Sequence, residues 1–182
     1  VYIFKKNLTG GWQEVQKIWA SDKDVSDSFG ISISISGDYA IVSASSEDPG
    51  GTSDAGSAYI FKNIAGNWTQ VQKIWASDKE ASDGFGYSVS ISGDYAIVGA
   101  FGEDTGGSEA GAAYIFKKNT VGVWQEIQKI QASDKQAGDG FGGVSISGDY
   151  MIVGAPGEDT GGSNAGAAYI FKKNTVGVWQ EI

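Results

Sequence analysis

The sequence predicts an all-β repeat protein built from four-stranded antiparallel sheets, one sheet for each 56 residues of chain. Three observations predict it. Phe29-Gly30, Phe85-Gly86 and Phe141-Gly142 recur every 56 residues, and residues 110–127 are identical to 165–182. A fixed period of this length identifies the unit that must fold. Each unit divides into four short runs rich in β-branched and aromatic residues, separated by Gly, Asn and Asp, which adopt turn conformations at little steric cost. No segment shows helical periodicity over ten residues.

In the second unit the runs are Phe85–Ser92 (strand A), Tyr95–Ala100 (B), Gly111–Lys118 (C) and Val123–Ile130 (D). Strand A alternates Tyr87, Val89 and Ile91 with Ser88, Ser90 and Ser92, which puts apolar groups on one face and small hydroxyls on the other. A tight hairpin at Ser92-Gly93-Asp94 joins A to B. Strand B, Tyr-Ala-Ile-Val-Gly-Ala, has no polar interruption and reads as buried on both faces. Residues 119–122 turn C into D, and each D strand opens with one of Trp12, Trp68, Trp124 and Trp179. The expected organisation is one repeat domain: strands C and D of a half unit at 1–19, then full units at 20–76, 77–131 and 132–182, with the last D strand cut short at Ile182.

One such sheet cannot bury both of its faces alone, so neighbouring units must stack. Small residues on the packing faces and aromatics at matched positions suit a β-propeller. The motifs resemble the FG-GAP repeat family of β-propellers, in a bacterial type related to integrin α-subunit heads: Phe-Gly opens strand A, Ile152–Pro156 ends strand B as Ile-Val-Gly-Ala-Pro, and Gly-Ala-Ala-Tyr-Ile-Phe forms strand C. The resemblance covers essentially the whole chain. It implies blades of four strands with A nearest the axis and C and D outside. Three departures stand out. The first unit has Ser43-Ala44-Ser45 and the second Gly99-Ala100-Phe101 in place of Gly-Ala-Pro. The third has Gly142-Gly143-Val144 where the second has Gly86-Tyr87-Ser88-Val89. That deletion would reverse the strand's faces unless the glycines absorb it in an irregular start. Fourteen strands make three and a half blades, whereas propellers close with roughly four to eight. The chain, which starts at Val1 rather than Met, is therefore expected to be a processed product or a section of a longer array, or to complete itself as a homo-oligomer.

The absence of His and Cys removes disulfides, thiolate chemistry and the ligands of zinc and iron–sulfur sites. A net charge of −9, with thirteen Lys and no Arg, disfavours nucleic acid. No apolar run approaches the roughly 20 residues of a membrane span.

In an antiparallel blade the D–A and B–C connections emerge at one end, where the acids collect. Asp22, Asp24, Asp27, Glu47, Asp48 and Asp54 belong to the first unit. The candidate cation ligands of the other units are Asp78, Glu80, Asp83, Glu103 and Asp104, then Asp134, Asp139, Glu158 and Asp159. The Lys residues expected among them are Lys23, Lys79 and Lys135, while Lys5, Lys6, Lys62, Lys117, Lys118, Lys172 and Lys173 fall at the opposite end with Asp38, Asp94 and Asp149. Hard oxygens on Gly-rich loops suit Ca²⁺ rather than a transition metal. The integrin calcium loop does not transfer, however, because Ala81 falls where a ligand is needed. The same acids also read as solvated connections that keep a β-rich chain soluble.

The periodic tryptophans read as blade packing or as sugar-stacking platforms. Trp19 and Trp75, beside the acidic end and replaced by Gln131 at the end of the second unit, are the better ligand candidates. Glu103 and Asp104 would suit a glycosidase only as one unique pair, and they recur in every unit. Asn7 and Asn67 stand in glycosylation sequons, which matter only in a eukaryotic secretory pathway. These observations together favour a non-catalytic structural or adhesive module, extracellular, at the cell surface or in the periplasm. It would bind a protein partner through its loop rim or associate with copies of itself. The alternative is a Ca²⁺-dependent module for carbohydrate binding or cell adhesion.

Overall fold

The computed structural model describes residues 1–182. Strands β1 (Tyr2–Lys6) and β2 (Trp12–Lys17) form a two-stranded sheet. Three four-stranded sheets follow, each in chain order. The first holds β3 (Ile33–Ser36), β4 (Tyr39–Ala44), β5 (Ser57–Ile64) and β6 (Asn67–Ile74). The second holds β7 (Phe85–Ser92), β8 (Tyr95–Ala100), β9 (Ala112–Lys118) and β10 (Trp124–Ile130). The third holds β11 (Gly143–Ser147), β12 (Tyr150–Ala155), β13 (Ala167–Lys173) and β14 (Trp179–Glu181). Every pairing is antiparallel. The sheets are propeller blades, and they form an open stack rather than a ring.

Each interface between neighbouring sheets holds one cluster of buried apolar side chains. The second strands of the first two full sheets, β4 and β8, lie in the middle of this stacking, and Ala96, Ile97 and Val98 of β8 are completely buried. Their alternate side chains enter different clusters: Val98 packs toward the first sheet and Ile97 toward the third. Continuous apolar sequence in this strand is thus the consequence of having a neighbour on both faces.

The first strands carry the contacts between neighbouring sheets: β7 lies against β3 and β4 of the first sheet, and β11 against β7 and β8 of the second. The serine face of strand A explains how they fit. Ser32, Ser34 and Ser36 hydroxyls accept hydrogen bonds from the backbone N–H groups of Val89, Ile91 and Gly93 at 3.0–3.2 Å. Ser88, Ser90 and Ser92 accept in turn from Val144, Ile146 and Gly148. A small hydroxyl satisfies a backbone donor without holding the sheets apart. At the outer side, Gln16, Gln72 and Gln128 each clamp the backbone N–H and C=O of the Trp that opens the next sheet's last strand.

The one-residue deletion leaves the third sheet's register intact. Val144 opposes Val153 as Val89 opposes Val98. In the second unit the strand bulges between Phe85 and Ser88, and the third unit loses its residue at that irregular start. The faces of Val144 and Ile146 are preserved for this reason.

Candidate functional site

The acidic end is a shelf of interlocked loops. The connection entering the second sheet hydrogen-bonds to the loop between β4 and β5: Ser82, Gly84 and Phe85 donate their N–H groups to the carbonyls of Ser53, Asp54 and Ala55 at 2.9–3.2 Å. Gly138, Gly140 and Phe141 repeat this against Ser108, Glu109 and Ala110. Close approach here requires glycine. A Cβ on Gly56 would lie 2.7 Å from the backbone nitrogen of Phe85, and its φ of +84° is itself unfavourable to other residues.

The acids build this shelf. Asp27, Asp83 and Asp139 are buried, and each accepts a hydrogen bond from the backbone N–H three residues earlier, at Asp24, Glu80 and Gln136. Asp48, Asp104 and Asp159 accept from the N–H groups of Asp54, Glu109 and Asn164 at 2.6–2.8 Å, holding those three residues at left-handed φ values of 50–55°. Buried Glu103 and Glu158 accept from both the backbone and the hydroxyl of Thr105 and Thr160. Asp78 and Asp134 accept the Tyr114 and Tyr169 hydroxyls at 2.8 and 2.7 Å. Glu80 is exposed and contributes its backbone N–H to the turn. No three carboxylates are gathered into a group that could hold a metal ion.

Two lysines reach this end that the expected charge distribution omits. Lys73 Nζ sits 2.7 Å from Asp22 and 2.6 Å from Glu47, and Lys129 Nζ sits 2.7 Å from both Asp78 and Glu103. Both project from the end of a last strand, in the repeated Gln-Lys-Ile of 72–74 and 128–130. That recurrence immediately before the acidic loops was the signal available in the sequence. At the opposite end Lys118 pairs with Asp94 and Lys173 with Asp149 at 2.8 Å, as the charge partition predicts.

The shelf sets opposing pKa shifts. Burial pushes Asp78 up, but hydrogen bonds from Lys129 and Tyr114 and the Lys129 charge outweigh it, and the net pKa is lowered. Asp83 is raised, by burial and then by the carboxylates of Glu103, Glu80 and Asp78, against the opposing Glu80 N–H bond. Asp78 therefore contributes stability that is present above its unfolded pKa and lost as pH falls through its folded one. Asp83 acts in the reverse sense: stability falls as pH rises from its unfolded toward its folded pKa, because over that window only the folded state keeps the proton. Asp83→Asn retains an acceptor for the Glu80 N–H and removes the charge, so its melting temperature at neutral pH should equal or exceed wild type. Asp83→Ala leaves that N–H unpaired and should lose about 1–3 kcal/mol. Thermal melts from acid to neutral pH test both, and a destabilised Asp83→Asn at neutral pH would refute this account.

Trp19 and Trp75 are half exposed, at 55% and 45%, and belong to successive sheets rather than one pocket. Trp19 borders a groove of about 260 Å³ with Gln16, Trp68 and Gln70, and the Lys23 ammonium lies 5.1 Å from its ring centre. Gln131, their counterpart at the end of the second unit, instead donates to Glu103 at 2.9 Å. Among the periodic tryptophans, Trp68, Trp124 and Trp179 are buried between sheets, whereas Trp12 is exposed.

A family model described as FG-GAP repeat matches residues 12–61, 68–116 and 124–171. Each matched window runs from the Trp opening one last strand to the Phe near the end of the next third strand, so the sequence unit crosses the sheet boundary. Comparison with curated proteins finds no significant match. Repeats of this kind build β-propeller-type modules, often in adhesion or ligand binding. With three matched windows covering most of its length, and with the blade architecture described above, the chain belongs to the FG-GAP repeat family.

Proposed function

We propose that this chain is a non-catalytic adhesive or structural module, extracellular or at the cell surface, that recognises a cationic protein surface through its acidic rim. One observation carries the reading. Asp22, Asp24, Asp27, Glu47, Asp48 and Asp54 line a single depression of about 290 Å³ on the first sheet's loops, with one apolar residue among its ten lining residues. The hydrogen-bonded loops fix these carboxylates before any partner arrives, which lowers the entropy lost on binding. Their summed field steers a cationic partner from a distance. The lack of His and Cys and the structural employment of the buried acids support a binding role over a catalytic one.

A second reading, carbohydrate binding assisted by Ca²⁺, is favoured by the exposed rings of Trp19 and Trp75. The two separate in one experiment: surface binding of the chain to a lysine-rich protein and to a neutral glycan array, at low and high salt, with and without Ca²⁺. The first reading expects binding to the cationic protein that fades with salt and weakens in Asp48→Asn with Asp54→Asn. Salt-insensitive glycan binding, lost in Trp19→Ala with Trp75→Ala, would replace it with the second.

A further inference from the structure

The two ends of the stack carry the two halves of one interface. On the third sheet's outward face Tyr150, Ile152 and Ile170 are 49%, 45% and 46% exposed. Their repeat equivalents are Tyr39, Ile41 and Ile60 in the first sheet and Tyr95, Ile97 and Ile115 in the second, and all four of those isoleucines are completely buried. What covers them is known from the chain itself. Ile41 and Ile60 pack with Tyr114 and Phe116 of the next sheet, and Ile97 and Ile115 with Tyr169 and Phe171. Tyr39 meets Trp124 edge-on at 5.7 Å between ring centres, with Lys118 Nζ 4.1 Å above the Tyr39 ring. Tyr95 meets Trp179 at 5.8 Å, with Lys173 Nζ at 4.3 Å.

The matching set of residues lies exposed at the other end. Tyr2, Phe4, Lys6 and Trp12 of the two-stranded sheet are the equivalents of Tyr114, Phe116, Lys118 and Trp124. Tyr2, Phe4 and Trp12 are 52%, 53% and 71% exposed. We propose that this chain associates head to tail, the third sheet's outward face of one copy docking on the two-stranded sheet of a second. Tyr150 of the first copy is held between Trp12 and Lys6 of the second, and Ile152 and Ile170 lie against Tyr2 and Phe4. The occupant is a second copy because the interface already forms twice within each chain from the same residue types in the same arrangement. The contact is heterologous, so it generates a closed ring or an open filament.

The test is sedimentation and light scattering of the 182-residue chain, from low to high micromolar concentration, for wild type, Tyr150→Lys, Trp12→Glu and an equimolar mixture of the two variants. Both substitutions lie on exposed faces, and melting temperatures that match wild type at a concentration where every protein is monomeric verify the fold. Wild type is expected to form oligomers larger than a dimer, or a closed ring. Each variant alone should associate at least about tenfold more weakly. The mixture should give a 1:1 heterodimer that neither variant forms alone, because Trp12→Glu keeps a working third sheet and Tyr150→Lys keeps a working two-stranded one. A wild type that stays monomeric throughout overturns the proposal, whatever else covers these faces in a longer polypeptide. So does association that survives both substitutions, or a mixture without heterodimer.

Discussion

Gly99→Ser is expected to lower stability by about 3 kcal/mol or more, although the first unit carries serine at the equivalent position, Ser43. The backbone at Gly99 has no left-handed φ, so the obstacle is purely steric. A Cβ there would overlap the carbonyl oxygen of Gly142 and lie 2.7 Å from its carbon and 2.9 Å from its Cα. Backbone atoms of a packed neighbouring sheet cannot swing aside as a flexible side chain can. Ser43 is accommodated because it faces Gly86, which opens the longer version of strand A; a Cβ on Gly86 would lie 2.8 Å from that of Ser43. The two departures from the family pattern are therefore linked. Serine in the first unit goes with the full-length strand in the second, and glycine in the second goes with the shortened strand in the third. Replacing Gly143 by Tyr-Ser, which restores the second unit's Phe-Gly-Tyr-Ser-Val, should recover most of what Gly99→Ser loses. Calorimetry should show a fall of roughly 6–12 °C for the single variant, at about 2–4 °C per kcal/mol for a chain of this size. A single variant that melts with wild type would refute the steric argument, and a failed rescue would refute the pairing.

That linkage shows where sequence reading reached its limit. The strands were legible because alternation and turn residues act locally: Phe85–Ser92 and Tyr95–Ala100 were predicted to the residue, and the other two strands of that unit to within one. The serines of strand A were legible as a face, but not as acceptors for the next strand's N–H groups, since that partner lies 56 or 57 residues away. The acidic rim was legible as a cluster, and its internal chemistry was not. Asp78, Glu103 and Lys129 come from a connecting loop, a second loop and a strand end, and no spacing within one segment reveals that they meet. Asp83 is the clearest case. In sequence it resembles its exposed neighbour Glu80, yet it is buried because its carboxylate closes a turn on that residue's N–H.

Trp124→Ala is expected to cost about 3–5 kcal/mol, while Trp12→Ala, at the same place in the repeat, should change the stability of a single chain by no more than about 0.5 kcal/mol. Trp124 packs against Tyr39 of the first sheet and is 2% exposed, whereas Trp12 is 71% exposed. Trp124 fills the space beside Tyr39, and its backbone is held by Gln72 at 2.7 and 2.8 Å. Removing the ring leaves a cavity lined by two sheets that the serine contacts and loop bonds prevent from closing. The indole N–H of Trp124 is buried without a partner, which subtracts from its contribution. Trp124→Phe should therefore lose much less than Trp124→Ala, because it gives up part of the ring volume together with the unpaired donor. Denaturant unfolding at a concentration low enough to keep the chain monomeric measures all three. If Trp12→Ala were as damaging as Trp124→Ala under those conditions, the periodic tryptophans would be stabilising their own sheets rather than the interfaces between sheets. The stacking account of this fold would then fail at its central contact.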